Sequence, residues 1–200
     1  MAKRILIVGS KGGSSRTTTT VLLATAIAKF SDQKVGIVDL DPQASAHNWI
    51  GTSPINGVEA IDAKKAGGES KLAYVIVDTQ PLVKPTKRMI EEAKSADLIL
   101  LICGDSPLDI HATKLTVKNL LKTKSLKAKT HLLFSRVVKG TGLSLLLNDS
   151  AKTIGVKRLK SVIHFRNCYR LAPIEGWSAL NRAAKEEVQT LTIEALTLMK

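Results

Sequence analysis

Twelve residues near the start, 9-GSKGGSSRTTTT-20, combine glycines, hydroxyls and cations ahead of a helical stretch, the chemistry of a phosphate-binding turn. Gly12 and Gly13 permit backbone conformations and close approaches that a Cβ would block. The N–H groups that follow, with the positive end of the helix dipole, would then face an anion. Thr17 falls where a hydroxyl could ligate a phosphate-bound magnesium. Two later segments bring carboxylates. One is 37-IVDLDPQ-43, with Asp39 and Asp41; the other is 75-VIVDTQP-81, with Asp78. A single aspartate at a strand end is usually a turn or helix cap. Three such features on one rim supply what a magnesium–nucleotide complex needs: backbone donors for phosphate and hard oxygens for the metal.

The elements that must hold these residues are legible as short apolar runs alternating with helical spacing. Arg4–Val8, Lys34–Asp39, Ala73–Asp78, Leu98–Cys103 and Thr130–Ser135 predict strands buried on both faces, because they do not alternate. Thr17–Ser31, Thr86–Ser95, Asp109–Lys122 and Leu143–Ile154 carry helical spacing, Ser161–His164 reads as a further strand, and Glu186–Met199 as a closing helix. The expected fold is an α/β three-layer sandwich around a mostly parallel sheet, one domain over residues 1–200. Ligands of such sheets lie beyond the carboxyl ends of the strands, where the three motifs fall. Gly67-Gly68-Glu69-Ser70 reads as a loop rather than a domain boundary.

The 200 residues, 44% apolar, suffice for one substantial core, and no run of eighteen apolar residues predicts a membrane span. The apolar start is too short for a signal peptide and reads as a first strand. Cys103 and Cys168 share no motif that predicts a disulfide framework or zinc site, so a cytoplasmic chain is expected. His47, His111, His131 and His164 have no common spacing and read as structural. The formal charge of +13 favours a polyanionic partner. Between Ile110 and Arg170 stand fourteen lysines and arginines against one acid, Asp149. Lys114, Lys118 and Lys122 recur every four residues on one helix side, with Leu115, Val117 and Leu121 supplying apolar faces; Lys124, Lys127 and Lys129 continue the charge. With few aromatics between them, they predict contact with duplex backbone rather than stacked bases.

The chain resembles the ParA/MinD family of deviant Walker A ATPases, most of all the small plasmid-partition ParA proteins typified by ParF. The family loop Lys-Gly-Gly-x-Gly-Lys-Thr-Thr is matched at Lys11, Gly12, Gly13, Thr17 and Thr18. Its Asp-x-Asp-Pro-Gln is matched by Asp39, Asp41, Pro42 and Gln43, with Trp49 also fitting. Val75–Asp78 matches the Walker B strand and Ser106–Asp109 a later family segment. Arg166, Tyr169 and Gly176 match the base-contacting loop and its approach to the last helix. The resemblance implies a P-loop NTPase-like fold, ATP and Mg2+ as cofactors, and a homodimer that closes around nucleotide. It implies that Lys11 reaches the partner's phosphates and that Asp41 orients the attacking water. The loop, Gly12, Gly13, Ser14, Ser15, Arg16, Thr17 and Thr18, would bind nucleotide. Thr17, Asp39 and Asp78 would hold the metal, and Arg166 and Tyr169 would line the base site. Arg166 and Arg170, flanking Tyr169, could equally face DNA.

Two residues depart from the family. Ser15 replaces a glycine, and Arg16 replaces the in-loop lysine. Arginine keeps the charge but is planar, forked and longer. If Ser15 must take φ > 0, it costs about 1 kcal/mol or more. Hydrolysis is the property most exposed, which leaves a weak ATPase and a nucleotide-gated adaptor or regulator with little turnover as alternatives. The leading expectation is a DNA-segregation protein on nonspecific DNA at the nucleoid, without an N-terminal DNA-binding extension and regulated by a centromere-binding adaptor protein. A MinD-like membrane role is the weaker alternative, because the closing helix lacks a cationic face.

Overall fold

Side chains along each central strand divide between two cores, as continuous apolar runs require. The computed structural model describes residues 2–62, 71–82, 85–122 and 124–199. Its strands are β1 (Lys3–Gly9), β2 (Val35–Asp39), β3 (Val58–Ile61), β4 (Tyr74–Asp78), β5 (Leu98–Cys103), β6 (Thr130–Val137) and β7 (Arg158–His164). They form one sheet in the order β3-β2-β4-β1-β5-β6-β7, every neighbouring pair parallel. From β1, Ile5 and Ile7 enter one core while Leu6 and Val8 enter the other; β5 likewise sends Leu98, Leu100 and Ile102 one way and Ile99, Leu101 and Cys103 the other.

The helices are α1 (Arg16–Ser31), α2 (Ser45–Thr52), α3 (Lys87–Ser95), α4 (Pro107–Leu120), α5 (Lys124–Ala128), α6 (Gly142–Leu145), α7 (Leu147–Ile154), α8 (Cys168–Glu175) and α9 (Arg182–Leu198). Those with α1, namely α2, α8 and α9, cover the first core; α3, α4, α5 and α7 cover the second. Starts are set by side-chain caps: Thr86 accepts from Met89 N, Ser106 from Asp109 N ahead of Pro107, and Asn181 from Ala184 N. Gly155, at φ 80°, ends α7 in the left-handed conformation that glycine adopts without strain.

The expected three-layer parallel architecture stands. Differences lie in the small elements. The sequence reading did not separate α2, β3, α5 or α8, and its Leu143–Ile154 helix is broken at Leu146 into α6 and α7. Leu115, expected on an apolar face of α4, is 49% exposed, whereas Val117 and Leu121 are buried. The Gly67–Ser70 loop lies outside the described residues. Strand order decides the location of the site. β2, β4 and β1 are neighbours, Asp39 is paired in register with Asp78, and the turn after β1 rises beside both.

Candidate functional site

The turn between β1 and α1 is drawn inward by one side chain. Arg16, the first residue of α1, is 7% exposed. Its Nη1 donates to Lys11 O at 2.6 Å, and at the longer distances of 3.4 and 3.3 Å to Gly9 O and Ser14 Oγ; Nε donates to Thr79 O at 2.8 Å. The guanidinium thus ties the turn to the end of β4. A Cβ on Gly9 would stand 2.8 Å from Ser14 Oγ and 3.1 Å from Arg16 Cδ, so glycine there permits the fold-back. Burial lowers the Arg16 pKa, opposed by Asp78 and Asp41, and Nη2 lies 4.0 Å from Asp41 Oδ2. Ser15 has φ 69°, the left-handed conformation in which a Cβ is strained. The condition attached to that position in the sequence is therefore met.

Around this turn the three aspartates have different partners. Asp78 is fully buried, its Oδ2 accepting from Thr17 Oγ1 at 2.7 Å and its Oδ1 from Thr79 N at 3.1 Å. Both Asp39 oxygens receive amides: Asp41 N on Oδ1 at 2.9 Å, and Ala46 N and His47 N on Oδ2 at 2.9 and 3.3 Å. Asp39 therefore holds the start of α2, and any support it gave a metal would pass through water. Asp41 Oδ1 accepts from Gln43 N at 3.0 Å. Among the described residues no group of three or more His, Cys, Asp or Glu is arranged as a metal cage. Magnesium takes one or two protein oxygens plus substrate phosphates. The Thr17 hydroxyl and Asp78 carboxylate are the pair suited to it.

Burial pushes the Asp78 carboxyl up to about 6, with the Asp39 charge adding to it and the Thr17 hydrogen bond opposing. From about pH 4 to about pH 6 the folded chain holds a proton that the unfolded chain has released, so stability falls as pH rises through that window. Asp78→Asn is accordingly expected to stabilise the nucleotide-free protein at pH 7.5 by up to about 3 kcal/mol, with the gain shrinking toward pH 4.5. Thermal unfolding at the two pH values reads it. An equal gain at both would exclude the buried charge as the cause.

Lys11 Nζ pairs with Asp109 Oδ1 in the same chain at 2.9 Å, and Ser106 Oγ donates to Asp109 Oδ2 at 2.6 Å. Burial pushes the Asp109 carboxyl up, but the Ser106 and Lys11 hydrogen bonds, with the Lys11 and Arg136 charges, outweigh it and hold the carboxyl low. Arg136 escaped the sequence reading. It leaves the carboxyl end of β6 at φ 61°, donates Nη1 to Gly13 O at 2.7 Å, and stands 5.9 Å over the Phe165 ring. A basic residue at a strand's carboxyl end was the available signal.

Beside the turn opens a cavity of about 490 Å³, walled by Ser15, Thr18, Arg136, Arg166 and Tyr169. That is a usual size for small-molecule sites. Arg166 and Tyr169 are fixed by Glu187 of α9, which also escaped prediction. Glu187 accepts from Arg166 Nη2 at 2.6 Å and from the Tyr169 hydroxyl at 2.8 Å, and stands 2.8 Å from His164 Nδ1. Only a glutamate on a long terminal helix marked it in sequence, which is no signal.

Of the predicted basic face, Lys114 and Lys118 on α4, Lys122 after its end, and Lys124 and Lys127 on α5 are exposed. Lys129 differs. Its ammonium donates to Lys94 O at 2.7 Å and Ala96 O at 2.5 Å, capping the end of α3. The apolar face of α9 is occupied: Val188, Leu191 and Ala195 lie in the first core. Among the described residues no helix is long and apolar enough to cross a membrane.

Comparison with known proteins agrees with this geometry. "Maintenance of carboxysome distribution protein A" (McdA) of Halothiobacillus neapolitanus is 24% identical over 212 residues, covering 96% of this chain and 95% of that protein. The apo McdA structure from Cyanothece superposes with a TM-score of 0.80 at 16% identity, over 98% of this chain and all of that one. The septum site-determining protein MinD from Pyrococcus horikoshii, complexed with Mg-ADP, gives 0.72 at 18% identity over 98% of each chain. The model of the CobQ/CobB/MinD/ParA nucleotide-binding domain matches residues 5–178. The chain, with its phosphate turn, its strand-end aspartates and its parallel sheet, belongs to the CobQ/CobB/MinD/ParA nucleotide-binding domain family.

Proposed function

We propose that this protein is a ParA-type positioning ATPase, a nucleotide-dependent homodimer that distributes a large cargo over nonspecific DNA under the control of an adaptor protein. One observation carries the reading: the Gly12–Thr18 turn, Asp39–Asp41 and Asp78 converge on one rim through the adjacent strands β1, β4 and β2. The cargo is of the kind named for relatives or implied by the likeness to partition proteins: a carboxysome-like body, or a plasmid or chromosome locus bound by a centromere-binding adaptor.

In this reading the backbone from Gly12 to Thr18 holds the phosphates, and Thr18, Arg166 and Tyr169 wall the nucleoside. Thr17 and Asp78 would hold magnesium, with Asp39 supporting the site; bound there, the metal would neutralise charge on the phosphate oxygens. Asp41 orients the attacking water. Lys11 serves the partner's phosphates, and to do so it must leave Asp109, which it meets at 2.9 Å in the same chain. Exposed Lys114, Lys118, Lys122, Lys124 and Lys127 meet DNA phosphates.

Retention on duplex DNA should require ATP with magnesium. If the five exposed lysines each neutralise one phosphate, affinity falls several-hundredfold, roughly, between 50 and 200 mM salt. Lys118→Glu with Lys122→Glu should weaken binding about tenfold or more without changing nucleotide affinity. Equal retention without nucleotide would count against the switch. A second reading, an adaptor gated by nucleotide with little turnover, is favoured by Arg16, whose guanidinium spans the turn that phosphate must enter. Phosphate release measured with DNA and partner present separates the two.

A further inference from the structure

A second cavity, of about 560 Å³, lies away from the phosphate turn, between the carboxyl halves of α1 and α2 and the end of α8. Both tryptophans of the chain, Trp49 and Trp177, line it. Trp49 is 6% exposed and its indole N–H has no hydrogen-bond partner, an uncommon state for a buried donor. Phe30 meets Trp177 edge-on at 5.9 Å, and Phe30 and Ile174 stand 51% and 78% exposed, an apolar rim turned to solvent. Charge at this place runs against the rest of the molecule. The lining holds two carboxylates, Asp32 and Glu175, and one ammonium, Lys29, in a chain of formal charge +13. Neither carboxylate has an ion-pair partner among the described residues.

We propose that this groove binds a basic segment of a partner protein, with an arginine or lysine between the indoles and the two carboxylates and apolar neighbours on the Phe30–Ile174 rim. Indole faces attract cations, and the free carboxylates complete the neutralisation. The basic stretch between Ile110 and Arg170 repels such a segment, so specificity comes from contrast with that surface. Leu22 of α1 lines both cavities, but the groove's charged and aromatic residues, Lys29, Asp32, Trp49, Glu175 and Trp177, line only this one, and the inference stands independently of the nucleotide reading.

The two indole N–H signals in a nitrogen–proton correlation spectrum give a direct readout. The probes are the capped peptide acetyl-Leu-Arg-Leu-Arg-Leu-amide and its glutamate counterpart. The arginine peptide should move both indole signals in a saturable way and bind at least about tenfold more tightly than the glutamate peptide. Glu175→Lys with Asp32→Asn should cost about tenfold or more; asparagine tolerates the left-handed backbone at position 32, where φ is 53°. Glu175→Lys alone, at an exposed position, serves if the pair does not fold. Equal shifts from the two peptides, unmoved indole signals, or unchanged binding by the variant would each overturn the proposal.

Discussion

Ser15→Gly combined with Arg16→Lys is expected to tighten ATP binding about tenfold and to raise turnover by roughly a hundredfold. The reason lies in what phosphate must displace. Arg16 is almost wholly buried and spends its donors on Lys11 O and Thr79 O at 2.6 and 2.8 Å. Hydrogen bonds from a charged donor contribute about 1.5–3 kcal/mol each, so re-aiming this guanidinium toward an incoming phosphate is costly. An ammonium on a slimmer stem is a compact charge that turns without breaking a planar fork. Ser15 contributes separately. At φ 69° its Cβ is strained, and glycine should return about 1 kcal/mol to the fold. Ser15→Gly alone should therefore raise the unfolding temperature by a few degrees with a small effect on turnover, while Arg16→Lys alone should carry most of the kinetic gain. Should the double variant match the parent in nucleotide affinity and phosphate release, with DNA and partner present, the turn is not the limiting defect.

What the sequence disclosed and what it hid divide along the range of the interactions. β1, β2, β4, β5 and β6 were legible because a two-sided strand needs a run of apolar residues, which is a local property. The edge strand β3 has four residues with Glu59 and Ala60 exposed, too short and too polar to stand out. α2 is held by Asp39 at its start and by buried Trp49 and Ile50, contacts that no periodicity over eight residues reveals. α8 contains Pro173, a helix breaker in a sequence reading. At the site, residue types and their strand-end positions were readable, and so was the convergence of the three motifs. The partners were not. Lys11 meets Asp109, Arg136 meets Gly13, and Lys129 caps α3, each across a fold that had first to form. A lysine in a basic run carries no local mark to tell a DNA contact from a helix cap.

The largest expected loss of stability comes from a residue that no motif indicated. Glu187→Ala should destabilise the fold by about 3–5 kcal/mol, since it strips the partner from a partly buried charge. The Glu187 side chain is 12% exposed, and Arg166, donating through Nε and Nη2 at 3.0 and 2.6 Å, is 25% exposed. Tyr169 adds a hydroxyl at 2.8 Å and His164 a backbone amide at 3.2 Å. Burial raises the Tyr169 pKa, and the Glu187 charge raises it further, so the phenol remains a donor. Burial also pushes the Glu187 carboxyl up, but hydrogen bonds from Arg166, Tyr169 and His164 prevail and hold it low. A depressed carboxyl stabilises above its unfolded pKa, here about 4.5, and that contribution is lost as pH falls through the lower folded value. The deficit of Glu187→Ala should thus be full at pH 7 and narrow in acid. Glu187→Gln keeps an acceptor and the shape but not the charge, and should lose less, about 1–2 kcal/mol. Because Arg166 and Tyr169 wall the cavity beside Thr18, both variants should also weaken adenine-nucleotide binding, alanine more than glutamine. Denaturant unfolding at pH 7 and pH 4.5, with a nucleotide titration, separates the effects. A deficit of alanine no larger than about 0.5 kcal/mol, the scale of an ordinary surface change, would show that α9 holds this cavity wall by packing of Val188 and Leu191 and not by this carboxylate.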